Sequence, residues 1–297
     1  MQKMSPAGLR SFLFAPGNQS RKVEKVFQCS ADAVILDLED AVALAQKEVA
    51  RAAVVTAIQR PRQARGYVRI NGVESKFWIG DLEAVVGPRL DGVVLPKTET
   101  AEQLRAVDAR ISQMERRVRL KEGSIEVMPI VETARGIENA AAIAGASARV
   151  RRLSFGGGDY TNDLDLIWSA DEQELAYARA KLTHGSRLAG LEPPVDTVVL
   201  QVKDTARFRQ SALNGRRMGF QGKLCIHPDQ VAVCHDVFTP SAEEIAQARA
   251  IIAAFAAAEA QGSAAIQLDG YFVDYPIVYK AQRVLALAER VGLANVE

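Results

Sequence analysis

A repeated alternation restricts the fold more than any other feature of the chain. Short apolar runs bounded by turn residues recur at Ser11–Ala15, Ala33–Asp37, Tyr67–Ile70, Gly92–Leu95, Glu126–Ile130, Arg152–Phe155, Thr197–Val202 and Lys223–Ile226. Between them lie stretches with helical spacing: Arg21–Cys29, Gln46–Gln59, Thr100–Glu115, Ile137–Ala146, Glu172–Leu188 and Ala206–Met218. Strand followed by helix, repeated, builds βα units and a parallel sheet. Eight strands match an α/β fold of the TIM (β/α)8 barrel type, and 297 residues hold one such barrel plus an appendage. A doubly wound open sheet is the rival architecture.

The expected strands end in polar or glycine clusters. Asp37-Leu38-Glu39-Asp40 follows the second, Arg69-Ile70-Asn71 the third, Pro96-Lys97 the fourth and Glu132-Thr133 the fifth. Gly156-Gly157-Gly158-Asp159 follows the sixth and His227-Pro228 the eighth. One such cluster could be a helix cap. Six of them converge on one face in a barrel, the face where barrel active sites lie.

Beyond the eighth strand the chain has more than a barrel needs. Ser241 and Glu244 read as a capping box opening a helix to about Gln261. An extended segment, Ile266–Tyr275, and a last amphipathic helix, about Ile277–Val291, follow. The expected division is a barrel over residues 1–239 and a C-terminal helical extension over 240–297.

Charge and cysteine content narrow the function. Lys plus Arg total 37 against 36 for Asp plus Glu, without the basic excess of a nucleic-acid partner. No apolar run approaches the ~20 residues that span a bilayer. Met1–Arg10 carries no signal-peptide core, and Cys29, Cys225 and Cys234 are too few and odd in number for a disulfide framework. A cytoplasmic enzyme is the expectation.

Glu132 and Asp159 end consecutive strands, so they should be neighbours. Two close carboxylates repel unless a cation or proton intervenes. Oxygen ligands suit magnesium, with manganese as a substitute; capping of the following helices is the structural alternative. The three glycines before Asp159 lack phosphate-loop spacing and read as room for substrate, at Gly157 and Gly158, beside the acids. Arg69, inward in a barrel mouth, needs a carboxylate partner, from a substrate or from an internal acid such as Glu39. Glu39 and Asp40 suit water held around a metal, or capping. Lys97 reads as an ion-pair residue rather than a Schiff-base nucleophile. Cys225, His227, Cys234 and His235 lack zinc-site spacing, and His227 reads as a hydrogen-bonded barrel-end residue. Asp274, among apolar neighbours in Tyr271–Pro276, should have a raised pKa suited to acid–base work, or else be a turn residue before the last helix. Arg21 and Lys22 begin a helix, where phosphate binds well, or form a solvated helix end.

The ordered set of segments Ala33–Val42 (AVILDLEDAV), Met128–Ile137 (MPIVETARGI), Phe155–Leu164 (FGGGDYTNDL) and Phe220–Gln230 (FQGKLCIHPDQ) resembles the citrate lyase β-subunit and CoA-ester lyase family within the HpcH/HpaI-like aldolases. Leu9–Gly17 and Leu268–Pro276 resemble it too, so the likeness covers nearly the whole chain. It implies magnesium on Glu132 and Asp159, a substrate-carboxylate role for Arg69, and a catalytic Asp274 reaching over a neighbouring barrel in a homotrimer or a hexamer built as a dimer of trimers. It implies reversible cleavage of a 3-hydroxyacyl-CoA to an acyl-CoA and a 2-oxoacid, with Arg21 and Lys22 facing CoA phosphates. An aldolase acting on free hydroxy-oxoacids, a malyl-CoA thioesterase and a non-catalytic subunit of a larger complex are the alternatives. The sequence departs from the family pattern at Asp165, where glycine is usual, at Cys234-His235-Asp236, and over Lys181–Ser186. None of these touches the implied metal ligands.

Overall fold

In the computed structural model, which describes residues 8–293, eight parallel strands close into a barrel in chain order. They are β1 Ser11–Pro16, β2 Ala33–Asp37, β3 Arg65–Arg69, β4 Gly92–Leu95, β5 Glu126–Val131, β6 Ser154–Phe155, β7 Val195–Asp196 and β8 Gly222–Cys225. Closure is made by β8 pairing with β1, Ser11 beside Lys223 and Leu13 beside Cys225. No edge strand remains, so the barrel displaces the open-sheet rival. Helices follow the strands around the ring, as the alternation of patterns requires.

The interior is built by period-two alternation. Phe12, Ala33, Ile35, Tyr67, Val94, Met128, Ile130, Val195 and Leu224 form one buried cluster. The intervening Val34 and Leu36 are buried as well, so β2 reads as a continuous apolar run, as a parallel strand covered on both faces must. Toward the N-terminal ends of the strands the interior is filled by a polar plug. The Tyr67 hydroxyl donates to Glu126 at 2.7 Å, and Arg152 reaches Glu126 at 3.2 Å and Glu192 at 2.6 Å. The Arg152 guanidinium also lies 5.7 Å from the centre of the Phe12 ring. All four of Phe12, Tyr67, Glu126 and Arg152 are buried. Such a network stays in place only while each charge has its partner; losing one costs about 3–5 kcal/mol.

Two strands are shorter than the apolar pattern suggests, and one is displaced. The run Thr197–Val202 is not a strand: β7 ends at Asp196, and Thr197, Val198 and Leu200 line a cavity. Their apolar character belongs to a cavity wall, which a periodicity argument cannot tell from a sheet. The stretch Ile137–Ala146 divides into helices Ala134–Glu138 and Ala140–Ala144 at Asn139, whose amide donates to the Glu99 carbonyl. The helix expected from Glu172 begins at Ala176, because Glu172 takes a left-handed conformation (φ 60°) with its carboxylate 2.7 Å from Arg179. Helices Trp78–Val85, Gly157–Asp163 and Asp229–Phe238 lie outside the stretches with helical spacing.

The chain divides into two compact units, Met1–Asp236 and Val237–Glu297. In the second, Ser241 and Glu244 form the expected capping box at the start of helix Ala242–Glu259. A hairpin follows, β9 Ile266–Leu268 and β10 Tyr271–Val273, joined through Asp269 and Gly270, both at positive φ. Asp-Gly with two positive φ values suits a tight hairpin turn whose twist matches its strands. Helix Tyr275–Arg290 closes the unit around Phe255, Val273 and Val278. Tyr271 and Phe272 are exposed. No helix among the described residues is long and apolar enough to cross a membrane.

Candidate active site

A cavity of about 1040 Å³ opens at the C-terminal ends of the barrel strands. Its walls bring together residues that are distant in the sequence: Asp37, Arg69, Glu132, Gly156, Gly158 and Asp159, with Phe14, Thr197, Val198 and His227. Arg21, Lys22 and Lys25, from helix Ser20–Val26, also line it and make it basic on that side.

Glu132 follows β5 and continues the inward series Met128, Ile130. It is 3% exposed. Burial, and then the negative charge of Asp159, pushes its carboxyl up to about 8. Oε1 accepts the backbone N–H of Lys97 at 2.7 Å. Oε2 occupies the space a side chain at position 156 would fill: a Cβ on Gly156 would lie 2.1 Å from it. Asp159 stands in the first turn of helix Gly157–Asp163, half-buried, with no hydrogen bond or ion pair to any described residue.

This donor set fits magnesium. It offers two hard oxygen groups, one buried and held in place by Lys97 and Gly156, the other without a protein partner. Among the described residues no group of three His, Cys, Asp or Glu could hold a metal. Magnesium needs no such cage, because it takes one or two carboxylates and fills its octahedron with water and substrate oxygens.

Arg69 is clamped from within the protein. Its Nε and Nη2 donate to Asp37 at 2.7 and 2.6 Å, and Nη1 lies 3.1 Å from Glu39. The guanidinium sits 5.0 Å from the centre of the Phe14 ring. Burial alone would lower its pKa, but Asp37 and Glu39 outweigh that and hold it above its ordinary value. The sequence pointed to Glu39 as the internal acid; the bidentate partner is Asp37, the other inward residue of the same strand end.

Glu39 is buried between two cations, Arg69 and Lys97, the latter 2.8 Å from its Oε1. Burial pushes the Glu39 carboxyl up, against the pull of Arg69. Lys97 also pairs with Asp40 at 2.9 Å. The ion-pair reading of Lys97 therefore describes its ammonium, while its backbone serves Glu132. Gly158 lines the cavity; Gly157 instead backs onto Thr197, donating to its hydroxyl at 2.7 Å. His227 lines the cavity too, its Nδ1 accepting the Asp229 N–H at 3.3 Å. Lys25, Thr197 and Val198 escaped the sequence reading; Lys25 lies four residues after Arg21 on one helix, a spacing that could have found it.

Asp274 belongs to the second unit. It is half-buried and caps helix Tyr275–Arg290, accepting the Ile277 N–H at 3.4 Å. The structural alternative, a residue preceding the last helix, describes its place within its own unit.

A barrel with acids and a clamped arginine at its mouth is the frame of an aldolase-type enzyme, and comparison with known proteins gives the same class. Residues 10–228 match the HpcH/HpaI aldolase/citrate lyase family. The chain belongs to this family of carbon–carbon lyases. The citrate lyase subunit beta of Escherichia coli is 35% identical over 295 residues, covering 99% of this chain and 97% of that protein. The L-malyl-CoA/beta-methylmalyl-CoA lyase of Cereibacter sphaeroides is 35% identical, with 95% of each covered. Among solved structures, protein CitE from Mycobacterium tuberculosis in complex with magnesium, acetoacetate and coenzyme A is 30% identical, with a TM-score of 0.78 over 95% of this chain and 99% of that one.

Proposed function

We propose that this chain is a magnesium-dependent lyase that reversibly cleaves a 3-hydroxyacyl-CoA, such as malyl-, citramalyl- or citryl-CoA, to an acyl-CoA and a 2-oxoacid. One observation carries the reading. A buried and a half-buried carboxylate share a cavity with a clamped arginine, and one side of that cavity bears three cations. The acids suit the oxygens of a hydroxy acid on a metal, and the cations suit the phosphates of CoA. The magnesium and coenzyme A of the Mycobacterium tuberculosis complex support both halves.

Glu132 and Asp159 would hold the metal, which when bound supplies a Lewis acid to the hydroxyl and carboxylate oxygens. Arg69 holds the carboxylate that becomes the oxoacid's and fixes the pose. Glu39 and Asp40, braced by Lys97, order water beside the acids. Gly158 leaves room for the substrate backbone. In cleavage, the bond between the hydroxyl carbon and the carbon next to the thioester breaks. The hydroxyl passes its proton to water ordered by Glu39 and Asp40, and its carbon becomes the oxoacid carbonyl. Asp274, presented by a neighbouring subunit of a homotrimer or hexamer, protonates the thioester enolate; in condensation it removes that proton. Arg21 and Lys22, with Lys25, face the CoA phosphates.

The test is a product assay with magnesium on malyl-, citramalyl- and citryl-CoA. The expected result is acyl-CoA and 2-oxoacid in equal amounts, with Glu132→Gln and Asp159→Asn slower by at least about two orders of magnitude. Free CoA without acyl-CoA means thioester hydrolysis instead. Cleavage only of hydroxy-oxoacids lacking CoA means a free-acid aldolase. Full turnover in EDTA removes the metal from the reading.

A further inference from the structure

The guanidinium of Arg69 has five N–H donors. Asp37 takes two of them, on Nε and Nη2, through both its oxygens, and Glu39 lies 3.1 Å from Nη1 as an ion pair. The N–H groups of Nη1 and the second N–H of Nη2 remain for a ligand in the cavity. Asp37 is itself fixed: it is 1% exposed, and its carboxylate accepts the Glu39 N–H at 2.9 Å and the Ala41 N–H at 3.2 Å. Its carbonyl accepts the Gly17 N–H at 2.8 Å, where a Cβ on Gly17 would lie 2.6 Å from that oxygen. The carboxylate is therefore a rigid base plate for the arginine. The Phe14 ring completes the seat.

We propose that Asp37 is a positioning residue for the reaction: it turns the Arg69 guanidinium so that N–H groups of Nη1 and Nη2 meet a 2-oxoacid carboxylate, and it does not touch the substrate's CoA portion. The inference rests on the carboxylate-holding role given to Arg69 above. A charge-assisted bidentate pair fixes a plane as well as a position. Without it the guanidinium still carries its charge but can rotate toward Glu39, and the end-on fork is lost.

The test is equilibrium binding to the magnesium-saturated full-length protein, with pyruvate and CoA titrated separately. Asp37→Asn keeps the side chain's shape and one acceptor while removing the charge. Its pyruvate Kd should rise about 10- to 100-fold, while its CoA Kd stays within about twofold. A merely structural loss would weaken both alike. In the Arg69→Lys background, Asp37→Asn should add no more than about a further twofold, because the planar partner is already gone. If Asp37→Asn does not fold, Asp37→Glu, which keeps the charge but advances the carboxylate by one methylene, should show the same separation. Equal losses for pyruvate and CoA, unchanged pyruvate binding, or additive effects with Arg69→Lys overturn the proposal. A wild-type protein that binds no pyruvate overturns it together with the role of Arg69. Asp37-dependent pyruvate binding without turnover of any CoA ester leaves it standing and overturns only the proposed reaction.

Discussion

Lys97 adopts a left-handed backbone conformation, φ 48°, and from it donates its N–H to Glu132 Oε1 at 2.7 Å. A side-chain-bearing residue in that region costs roughly 1 kcal/mol or more. The same residue sends its ammonium to Glu39 and Asp40. One strained residue thereby ties the buried acid of the site to the acidic end of β2.

The raised carboxyl of Glu132 gives the proposed metal site a pH dependence. Its ordinary value is 4.5 and burial beside Asp159 lifts it to about 8. A carboxyl raised on folding contributes stability that is complete below 4.5 and is lost as pH rises through about 8. The metal-free protein should therefore lose stability progressively between about pH 4.5 and 8, with little further loss above, and magnesium should restore it. Below about pH 8 the metal displaces a proton, so its Kd should fall about tenfold per pH unit and level off above. Calorimetry in two buffers of different ionisation enthalpy should show close to one proton released per ion at neutral pH. A Kd that is flat from pH 6 to 8 would contradict the assignment.

Gly156→Ala puts a methyl where Glu132 Oε2 now lies. The acid must swing away, and its hydrogen bond to Lys97 must lengthen. Magnesium affinity should drop about 10- to 100-fold with the barrel still folded, as read by metal titration followed by thermal unfolding. Wild-type affinity in this variant would mean that Glu132 does not need its present pose.

Asp165 is left-handed, φ 54°, a backbone conformation that favours glycine. Asp165→Gly removes the Cβ strain but frees the unfolded chain, so the net gain should be small, about 0.5 kcal/mol. Chemical denaturation with the slope held in common measures it. A loss of stability would show that the aspartate side chain, rather than the backbone, matters there.

Asp274→Asn separates two roles, because asparagine caps a helix as well as aspartate does. The last helix should survive and lyase turnover should not. Co-expression of Asp274→Asn and Glu132→Gln chains under two tags should recover part of the activity in mixed oligomers, since some sites then hold both wild-type groups. Mixed oligomers without recovery would place Asp274 in its own chain's site or outside the reaction.

Much of this was legible in the sequence where strands are long enough to show their pattern. Runs of four to six residues announced β1 to β5 and β8. With two residues each, β6 and β7 are too short for any periodicity; β6 still lies within the apolar run Arg152–Phe155, whereas the apolar wall Thr197–Val202 stands just past β7, where the pattern puts the seventh strand. Glu132 and Asp159 could be paired in advance because β5 and β6 are adjacent in a barrel of this order. The clamp on Arg69 was only half visible: alternation put Asp37 and Glu39 on one face, but which of them meets the guanidinium edge-on depends on strand register, here Asp37 beside Arg69. The left-handed turn at Lys97 left no signal, since nothing in a lysine announces positive φ.

The polar plug of Tyr67, Glu126 and Arg152, packed on Phe12, has a kinetic side. It fills the barrel at one end, while Glu132 and Arg69 line the cavity at the other. An acid lodged against those two side chains would lie deeper than a thioester tail running out to Arg21 and Lys22. On the proposed reaction that difference in depth sets an order: in condensation the oxoacid would enter before the acyl-CoA, and in cleavage the acyl-CoA would depart first. Product inhibition of cleavage would then be competitive with the CoA ester for the oxoacid, released last, and mixed for the acyl-CoA, released first.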